Sequence, residues 1–153
     1  MICRSISMKE NRLTTRLTDY WNRLRKDNIL PQWEQFNTVA FQDLWKSCCK
    51  WRVEPGQSES IVYTYEYVGS AVKEALGADP TGTVFTGQLR GFAGAQIVHN
   101  IDKVAKNPMP LMDEGRFIND KSKIVKYRSC MLPFGTKKGK ITHIVLGLSW
   151  KEG

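Results

Sequence analysis

The chain begins with a helical pattern of apolar positions. Leu13, Leu17, Trp21 and Leu24 recur at spacings of four, four and three residues, which places them on one stripe of an α-helix. A turn-forming asparagine and a proline close this segment, because proline restricts the residue before it. The pattern predicts a flexible N-terminus over 1–12, an amphipathic helix over 13–30 and a main domain over 31–153.

The pattern then changes to the two-residue period of β-strands. Residues 48–54 and 61–68 predict two strands, joined by "EPGQSE", whose Pro-Gly pair marks a turn. Ile61, Tyr63, Tyr65 and Tyr67 share one face of the second strand because successive side chains alternate. We assign this tyrosine face to the interior.

A helical period of about 3.6 residues follows and is interrupted by glycines. It predicts helices at 70–76 and at roughly 92–106. Three further strands are expected at about 114–119, 124–133 and 141–150, because these segments are strand-like and turn-like basic segments separate them. A hairpin, a helical crossover and a three-strand meander make an α+β domain with one five-stranded antiparallel sheet and helices on one face.

The other face of this sheet also needs cover, because the last strand is apolar on both sides. The N-terminal helix is the expected cover, on its own sheet or on that of a partner. The candidate interface residues are Leu13, Leu17, Trp21, Leu24, Ile141, His143 and Val145.

Composition narrows the class of protein. A chain of 153 residues with 41% apolar residues fits one domain. No apolar run is long enough to span a bilayer, and the N-terminus, starting at Met1 or Met8, lacks the apolar region of a signal peptide. We therefore expect a cytoplasmic protein. Four cysteines without CxxC spacing indicate reduced, buried thiols and neither a zinc site nor a disulfide framework: Cys3, Cys48, Cys49 and Cys130.

Charge is concentrated in one segment. The net charge is +8, and residues 121–140 contain seven Lys or Arg and no acid. Such a segment attracts nucleic acid, anionic lipid or an acidic protein surface. Lys137, Lys138 and Lys140 lie on a short turn without interleaved aromatic residues, which favours an acidic protein over nucleic acid. A basic adaptor acting through 121–140 is the alternative function.

No catalytic motif is present: GxSxG, Walker A, a strand-linked GxGxxG and HExxH are all missing from the sequence. Cys130 and His143 could meet across adjacent strands, but neighbouring strands bring such pairs together by chance. The sequence predicts a protein that is not an enzyme and that binds no metal.

Three segments together resemble PAS sensor domains. They are "YTYEYVGSAVKEALGADPTG" at 63–82, "YWNRLR" at 20–25 and "CMLPFGTKKGKITHIVLGL" at 130–148. The first and last resemble PAS strand and helix segments, and the second resembles the Tyr-Trp helix of small stand-alone bacterial PAS proteins. The resemblance covers 13–150. It implies a sensory or interaction module in bacterial signal transduction, working as a homodimer or with a partner such as a histidine kinase.

Some PAS domains bind haem or flavin, so the resemblance raises the question of whether this chain could bind either cofactor. His99 lies with Asp102 and Lys103 on the helical wheel, away from Ile97 and Ile101, which argues against haem. The helical middle lacks the cysteine of a flavin photosensor. Two interpretations of the tyrosine face stay open, a filled core and an apolar pocket for an unidentified small organic ligand, with these candidate lining residues: Tyr65, Tyr67, Leu76, Phe85, Ile97, Ile101, Met131 and Leu146.

Overall fold

One curled antiparallel sheet organises the protein. The computed structural model describes residues 12–87 and 95–153; most of the predicted flexible N-terminus and the first three residues of the predicted 92–106 helix lie outside them. The strand order is β3-β2-β1-β6-β5-β4. The strands are β1 Cys48–Pro55, β2 Ile61–Val68, β3 Val84–Thr86, β4 Leu111–Ile118, β5 Ile124–Gly135 and β6 Ile141–Glu152.

The described ranges contain five α-helices, which pack around this sheet. They are α1 Leu13–Arg25, α2 Gln42–Trp45, α3 Ser70–Leu76, α4 Ala95–Val98 and α5 Ile101–Lys106. Two short 3₁₀ turns occupy Trp33–Gln35 and Gln57–Glu59. Within the described ranges, no helix combines the length and the hydropathy needed to cross a membrane.

The strand β3 corrects the prediction of five strands. It lies inside the stretch that the glycine-interrupted pattern assigned to helices, and it pairs Tyr63 with Phe85 at the edge of the sheet. Three residues are too few to show a two-residue period. β3 forms because Phe85 contacts the rings of Tyr63 and Tyr65, with ring centroids 5.3 and 5.4 Å apart.

The predicted helix over 92–106 is also different in the structure. Its described part is two short helices, α4 and α5, separated by His99 and Asn100. The side-chain amide of Asn100 hydrogen-bonds Nε2 of His99 at 2.9 Å. Asparagine competes with helical hydrogen bonding in this way, and the helix breaks there.

The sheet separates two apolar layers. The inner layer lies between the sheet and α3, α4 and α5, and the outer layer lies between the sheet and α1 with the 30–45 segment. β2 ends at Gly69, where an added Cβ would lie 2.2 Å from the carbonyl oxygen of Lys46. Glycine is therefore required where the chain leaves β2 and begins α3.

The amphipathic helix covers the sheet of its own chain. Leu17 and Trp21 are buried in the outer layer together with Val145 of β6. An added Cβ on Gly147 would lie 2.5 Å from Cδ1 of Leu17, so this glycine allows the close approach of α1 to the sheet. Leu17, Trp21 and Val145 are thus buried in the core of their own chain, which is the first of the two predicted arrangements; Leu13, Leu24 and Ile141 are half-buried beside them.

Candidate functional site

Seven of the eight predicted pocket residues lie together on the inner face of the sheet. α3 contributes Leu76, α4 contributes Ile97 and α5 contributes Ile101, and each packs down onto the strands. All seven are at most 4% exposed: Tyr65, Leu76, Phe85, Ile97, Ile101, Met131 and Leu146. The apolar residues predicted from the helical pattern and those predicted from the strand pattern therefore pack in one apolar cluster.

Tyr67 is the exception among the predicted pocket residues. The pairing of β1 with β2 shifts register between Lys50 and Trp51, so Glu66 is the extra residue of a β-bulge. Tyr67 consequently turns to the outer side, where its ring stacks on Trp45 at 4.6 Å. Its hydroxyl donates a 2.9 Å hydrogen bond to the carbonyl of Trp45. Alternation alone could not reveal this bulge.

The inner face also contains a hydrogen-bond donor without a partner. Trp51, in the central strand β1, is fully buried between Tyr65 of β2 and Ile144 of β6. Its indole Nε1–H has no hydrogen-bond partner among the described residues. A buried donor of this kind costs about 1–3 kcal/mol if left unsatisfied, and native proteins contain few of them.

The hydroxyl of Tyr65 is the polar neighbour of this indole. Burial raises the pKa of Tyr65, and the nearby thiol of Cys49 raises it further, whereas the indole of Trp51 opposes the rise. The opposing effect is a hydrogen-bond contact between the indole and the hydroxyl, but this contact falls outside the distance and angle limits of an ordinary hydrogen bond, so the Nε1–H has no full acceptor among the described residues. Two polar groups thus sit side by side in apolar surroundings, an arrangement suited to orient an organic molecule.

Two further tyrosines connect the sheet to the helices above it. The hydroxyl of Tyr63 donates to the Asp102 carboxylate of α5. The pKa of Tyr63 is raised, mainly by burial and then by this hydrogen bond and the charge of Asp102. The hydroxyl of Tyr127 lies 3.5 Å from the Gln96 carbonyl of α4, and burial together with the charge of Asp113 raises its pKa to about 12. These tyrosines fasten α4 and α5 over the apolar cluster.

A charged cluster occupies the outer face. Glu66 contacts Nζ of Lys50 at 3.3 Å, NH1 of Arg52 at 3.1 Å and Nε2 of His143 at 3.4 Å. Lys50 also lies over the ring of Trp33, 4.1 Å from its centroid. Burial lowers the pKa of His143, and Glu66 opposes this effect. The predicted interface residue His143 is therefore half-buried in an intramolecular network.

The buried thiols are separated from the histidines. Cys48, Cys49 and Cys130 are buried and unbridged, and burial raises the pKa of Cys130 to about 12. Cys130 pairs with Gly147 and His143 with Phe134, so the two do not meet across the strands. Among the described residues no group of three or more His, Cys, Asp or Glu is placed to hold a metal ion.

The chain resembles known proteins in its fold and not in its sequence. No family model matches the chain, and no curated protein matches it. A Rhodobacter sphaeroides LOV protein matches with 12% identity and a TM-score of 0.45, over 75% of this chain and 68% of that one. A sensory box histidine kinase/response regulator from Burkholderia thailandensis matches with 10% identity and a TM-score of 0.44, over 74% and 84%.

A third match is the VqmA dimer of Vibrio cholerae. Its identity is 14% and its TM-score 0.48, over 76% of this chain and 52% of that one. Without the edge strand β3, the strand order β2-β1-β6-β5-β4 is the predicted hairpin joined to the predicted three-strand meander. The fold is PAS-like. The predicted PAS resemblance is confirmed at this level, with a sheet of six strands.

Sequence reasoning missed part of the PAS-like inner face. Neither Trp51 nor Tyr63 was among the predicted pocket residues. Trp51 lies in the first predicted strand, which has no run of alternating tyrosines, and Tyr63 was assigned to the tyrosine face without a role of its own. The alternating pattern of β2 already indicated that Tyr63 lies on the inner face, since it shares that face with Tyr65. Its partner Asp102 was assigned to the solvated side of a continuous helix, and the break at 99–100 changes that assignment.

His99 itself is exposed. Its ring contacts the backbone carbonyl of Gln96 and lies 3.9 Å from Oδ2 of Asp113. It does not belong to the inner apolar cluster. The expectation of no haem and no flavin stays a prediction.

Proposed function

We propose that this protein is a sensory module of bacterial signal transduction that binds a small organic molecule on the inner face of its PAS-like sheet. The observation that carries this proposal is the buried indole Nε1–H of Trp51, a donor in an apolar cluster for which residues 12–87 and 95–153 supply no acceptor. A ligand with a hydrogen-bond acceptor would satisfy this donor. Its binding would recover free energy that the ligand-free fold forgoes.

The surroundings define the chemical class of the ligand. The cluster is aromatic and aliphatic, with the hydroxyl of Tyr65 as the second polar group near Trp51. A charged ligand would lose its hydration without gaining a counter-charge there. We infer an uncharged, mainly aromatic molecule that carries a carbonyl or a ring nitrogen as acceptor.

The short helices above the cluster provide the response. α5 has six residues and the described part of α4 has four, and a helix as short as α5 depends on tertiary packing for its stability. A ligand under them would displace them and change the hydrogen bond between Tyr63 and Asp102. This displacement would be the signal, passed to a second copy or to a signalling protein such as a histidine kinase.

An interaction module that works without a ligand is the second candidate. Seven of the predicted pocket residues are already packed in the core, as a filled core requires. A homodimer in either case would use a surface other than the apolar stripe of α1, because that stripe covers its own sheet. The partner would then act on the helices from outside.

The basic adaptor alternative loses its basis in the structure. Lys137, Lys138 and Lys140 are in or beside the β5–β6 turn, whereas Lys121 and Lys123 lie before β5. The strand between them has 12 residues, about 37 Å at the usual rise per residue. The seven cations of 121–140 therefore do not form one patch.

Native mass spectrometry of freshly purified protein tests the proposal. We expect a mass above the chain's 17.5 kDa, and the extra mass should disappear on denaturation. The same spectrum reads out the oligomeric state directly.

The Tyr65→Phe variant keeps the ring and removes the hydroxyl, so it should retain less of the extra mass. A Thr64→Ser variant on the opposite face of the same strand is the matched control. Wild-type protein that carries no extra mass, and whose melting temperature no uncharged aromatic carbonyl compound raises, would support the ligand-free candidate instead.

A further inference from the structure

Three cationic side chains stand directly opposite one another on three adjacent strands. The register pairs Arg116 of β4 with Lys126 of β5, and Lys126 with Lys151 of β6. Directly paired residues share one face of a sheet. Val125 and Tyr127 on either side of Lys126 point into the inner layer, so the cation row Arg116–Lys126–Lys151 lies on the outer face.

Among the described residues, one carboxylate, that of Glu114, lines a groove with this row, and it is paired elsewhere. None of the row's three cations forms an ion pair or hydrogen bond with a described residue, whereas Arg128 in the next row is paired with Glu114 at 3.4 Å. Like charges directly opposite each other on a sheet are destabilising. The cation row therefore lowers the stability of the sheet, which indicates a role outside folding.

The three cations of the row are exposed, although Gly153 lies against the side chain of Lys126. Helix α1 packs over the other end of β5, around Cys130, Leu132 and Phe134. The cation row lines a shallow groove of about 660 Å³. Ile118 and Ile124, which pair with each other in the following row, are 67% and 45% exposed beside it.

We propose that this groove docks an acidic amphipathic segment of another protein. Carboxylates of that segment would lie over Arg116, Lys126 and Lys151, and one of its apolar side chains would cover Ile118 and Ile124. Charge complementarity of this kind steers and orients a partner. Adjacent exposed apolar residues supply the buried area that charge alone does not.

The charges of this chain disfavour its own copies and its residues 1–11 as occupants. A second copy also has a net charge of +8, and residues 1–11 carry Arg4, Lys9 and Glu10, a net positive sequence. Nucleic acid fits less well, because the two aromatic residues beside the row, Tyr127 and Trp150, pack in the inner layer on the other side of the sheet and offer no ring on which bases could stack. The partner is therefore an acidic protein. This proposal does not depend on a ligand at the inner face, so either one can fail alone.

The Lys126→Glu variant separates docking from folding. A glutamate between Arg116 and Lys151 creates two favourable cross-strand pairs, so the variant should melt at a higher temperature than the wild type. The matched control is Lys138→Glu, which makes the same charge change in the exposed β5–β6 turn.

The binding probe is a fluorescein-labelled acidic peptide with leucines at helical spacing, compared with a scrambled peptide of the same composition. Fluorescence anisotropy should show a dissociation constant weaker by about tenfold or more for Lys126→Glu and nearly unchanged for Lys138→Glu. The scrambled peptide should bind more weakly, and added salt should weaken both. A single-stranded DNA 20-mer and vesicles containing anionic lipid are the competing probes.

Several results would overturn the proposal. One is peptide binding that both glutamate variants weaken equally, and another is no peptide binding at all. DNA or vesicle binding that exceeds peptide binding and is lost in Lys126→Glu would assign the groove to that partner instead. A lower melting temperature for Lys126→Glu would contradict the claim that the row destabilises the sheet.

Discussion

The indole Nε1–H of Trp21 donates a 2.6 Å hydrogen bond to the backbone carbonyl of Pro133. The two residues are 112 positions apart in the chain, and the bond joins α1 to strand β5 within one buried layer. The side chain of Trp21 is 3% exposed. Helix α1 is thus part of the domain's own structure, and any release of it would expose the outer face.

Replacing Trp21 with phenylalanine tests this attachment. The ring contacts are largely kept, but the Pro133 carbonyl loses its donor in a buried place, which costs about 1–3 kcal/mol of unfolding free energy. Urea unfolding followed by circular dichroism should show one cooperative transition shifted to lower denaturant. The control is Arg23→Ala on the exposed side of α1. An early transition confined to α1, with the remainder unchanged, would show that the helix is only loosely attached.

Replacing Tyr63 with phenylalanine tests the fastening of α5. The variant removes the hydroxyl that donates to Asp102, and hydrogen bonds to charged groups contribute about 1.5–3 kcal/mol. Amide hydrogen exchange should become faster in α5 and stay unchanged in β5. The Tyr127→Phe variant is the matched comparison, since its weaker contact with Gln96 should affect α4 instead. Equal acceleration throughout the protein in Tyr63→Phe would contradict a local role.

The sequence predicted most of this architecture where the chain gave long, uninterrupted patterns. β2 and α3 have the predicted bounds of 61–68 and 70–76, because Gly69 separates a clear two-residue period from a helical one. Tyr67 was misplaced because one bulge at Glu66 reverses the faces without any change in composition. The partner of Tyr63 could not be predicted, because the bond to Asp102 depends on how α5 sits on the sheet.

The cation row Arg116–Lys126–Lys151 also could not be predicted from the sequence. The predicted strand boundaries placed Lys126 and Arg116 in strands, but not opposite each other. Register is a property of the paired strands, and the pattern of one strand does not contain it. The predicted basic site therefore centred on the turn lysines Lys137 and Lys138, because they are adjacent in the sequence.

The pH dependence of stability tests the environment of His143. Its pKa is lowered from 6.5, mainly by burial, so the unfolded chain binds a proton more readily than the folded one. The contribution of His143 to stability is present above pH 6.5 and is lost as the pH falls through its lower folded pKa. Unfolding free energy should therefore decrease between about pH 7 and pH 5.

The contribution of this one group is isolated by substitution. In His143→Gln the decrease should be smaller than in the wild type. Urea unfolding at a series of pH values measures the decrease in both proteins. An unchanged slope in His143→Gln would show that other groups cause the pH dependence.

The indole resonance of Trp51 tests the central claim most directly. The protein has five tryptophans, so a ¹⁵N–¹H spectrum shows five indole N–H signals, and the signal missing from Trp51→Phe identifies that of Trp51. The probe is a set of uncharged aromatic fragments that carry a carbonyl group. We predict that binding fragments move the Trp51 signal in the direction of a new hydrogen bond, with weaker binding to Tyr65→Phe. A Trp51 signal that no fragment moves, in protein that carries no retained molecule, would contradict a ligand site on the inner face.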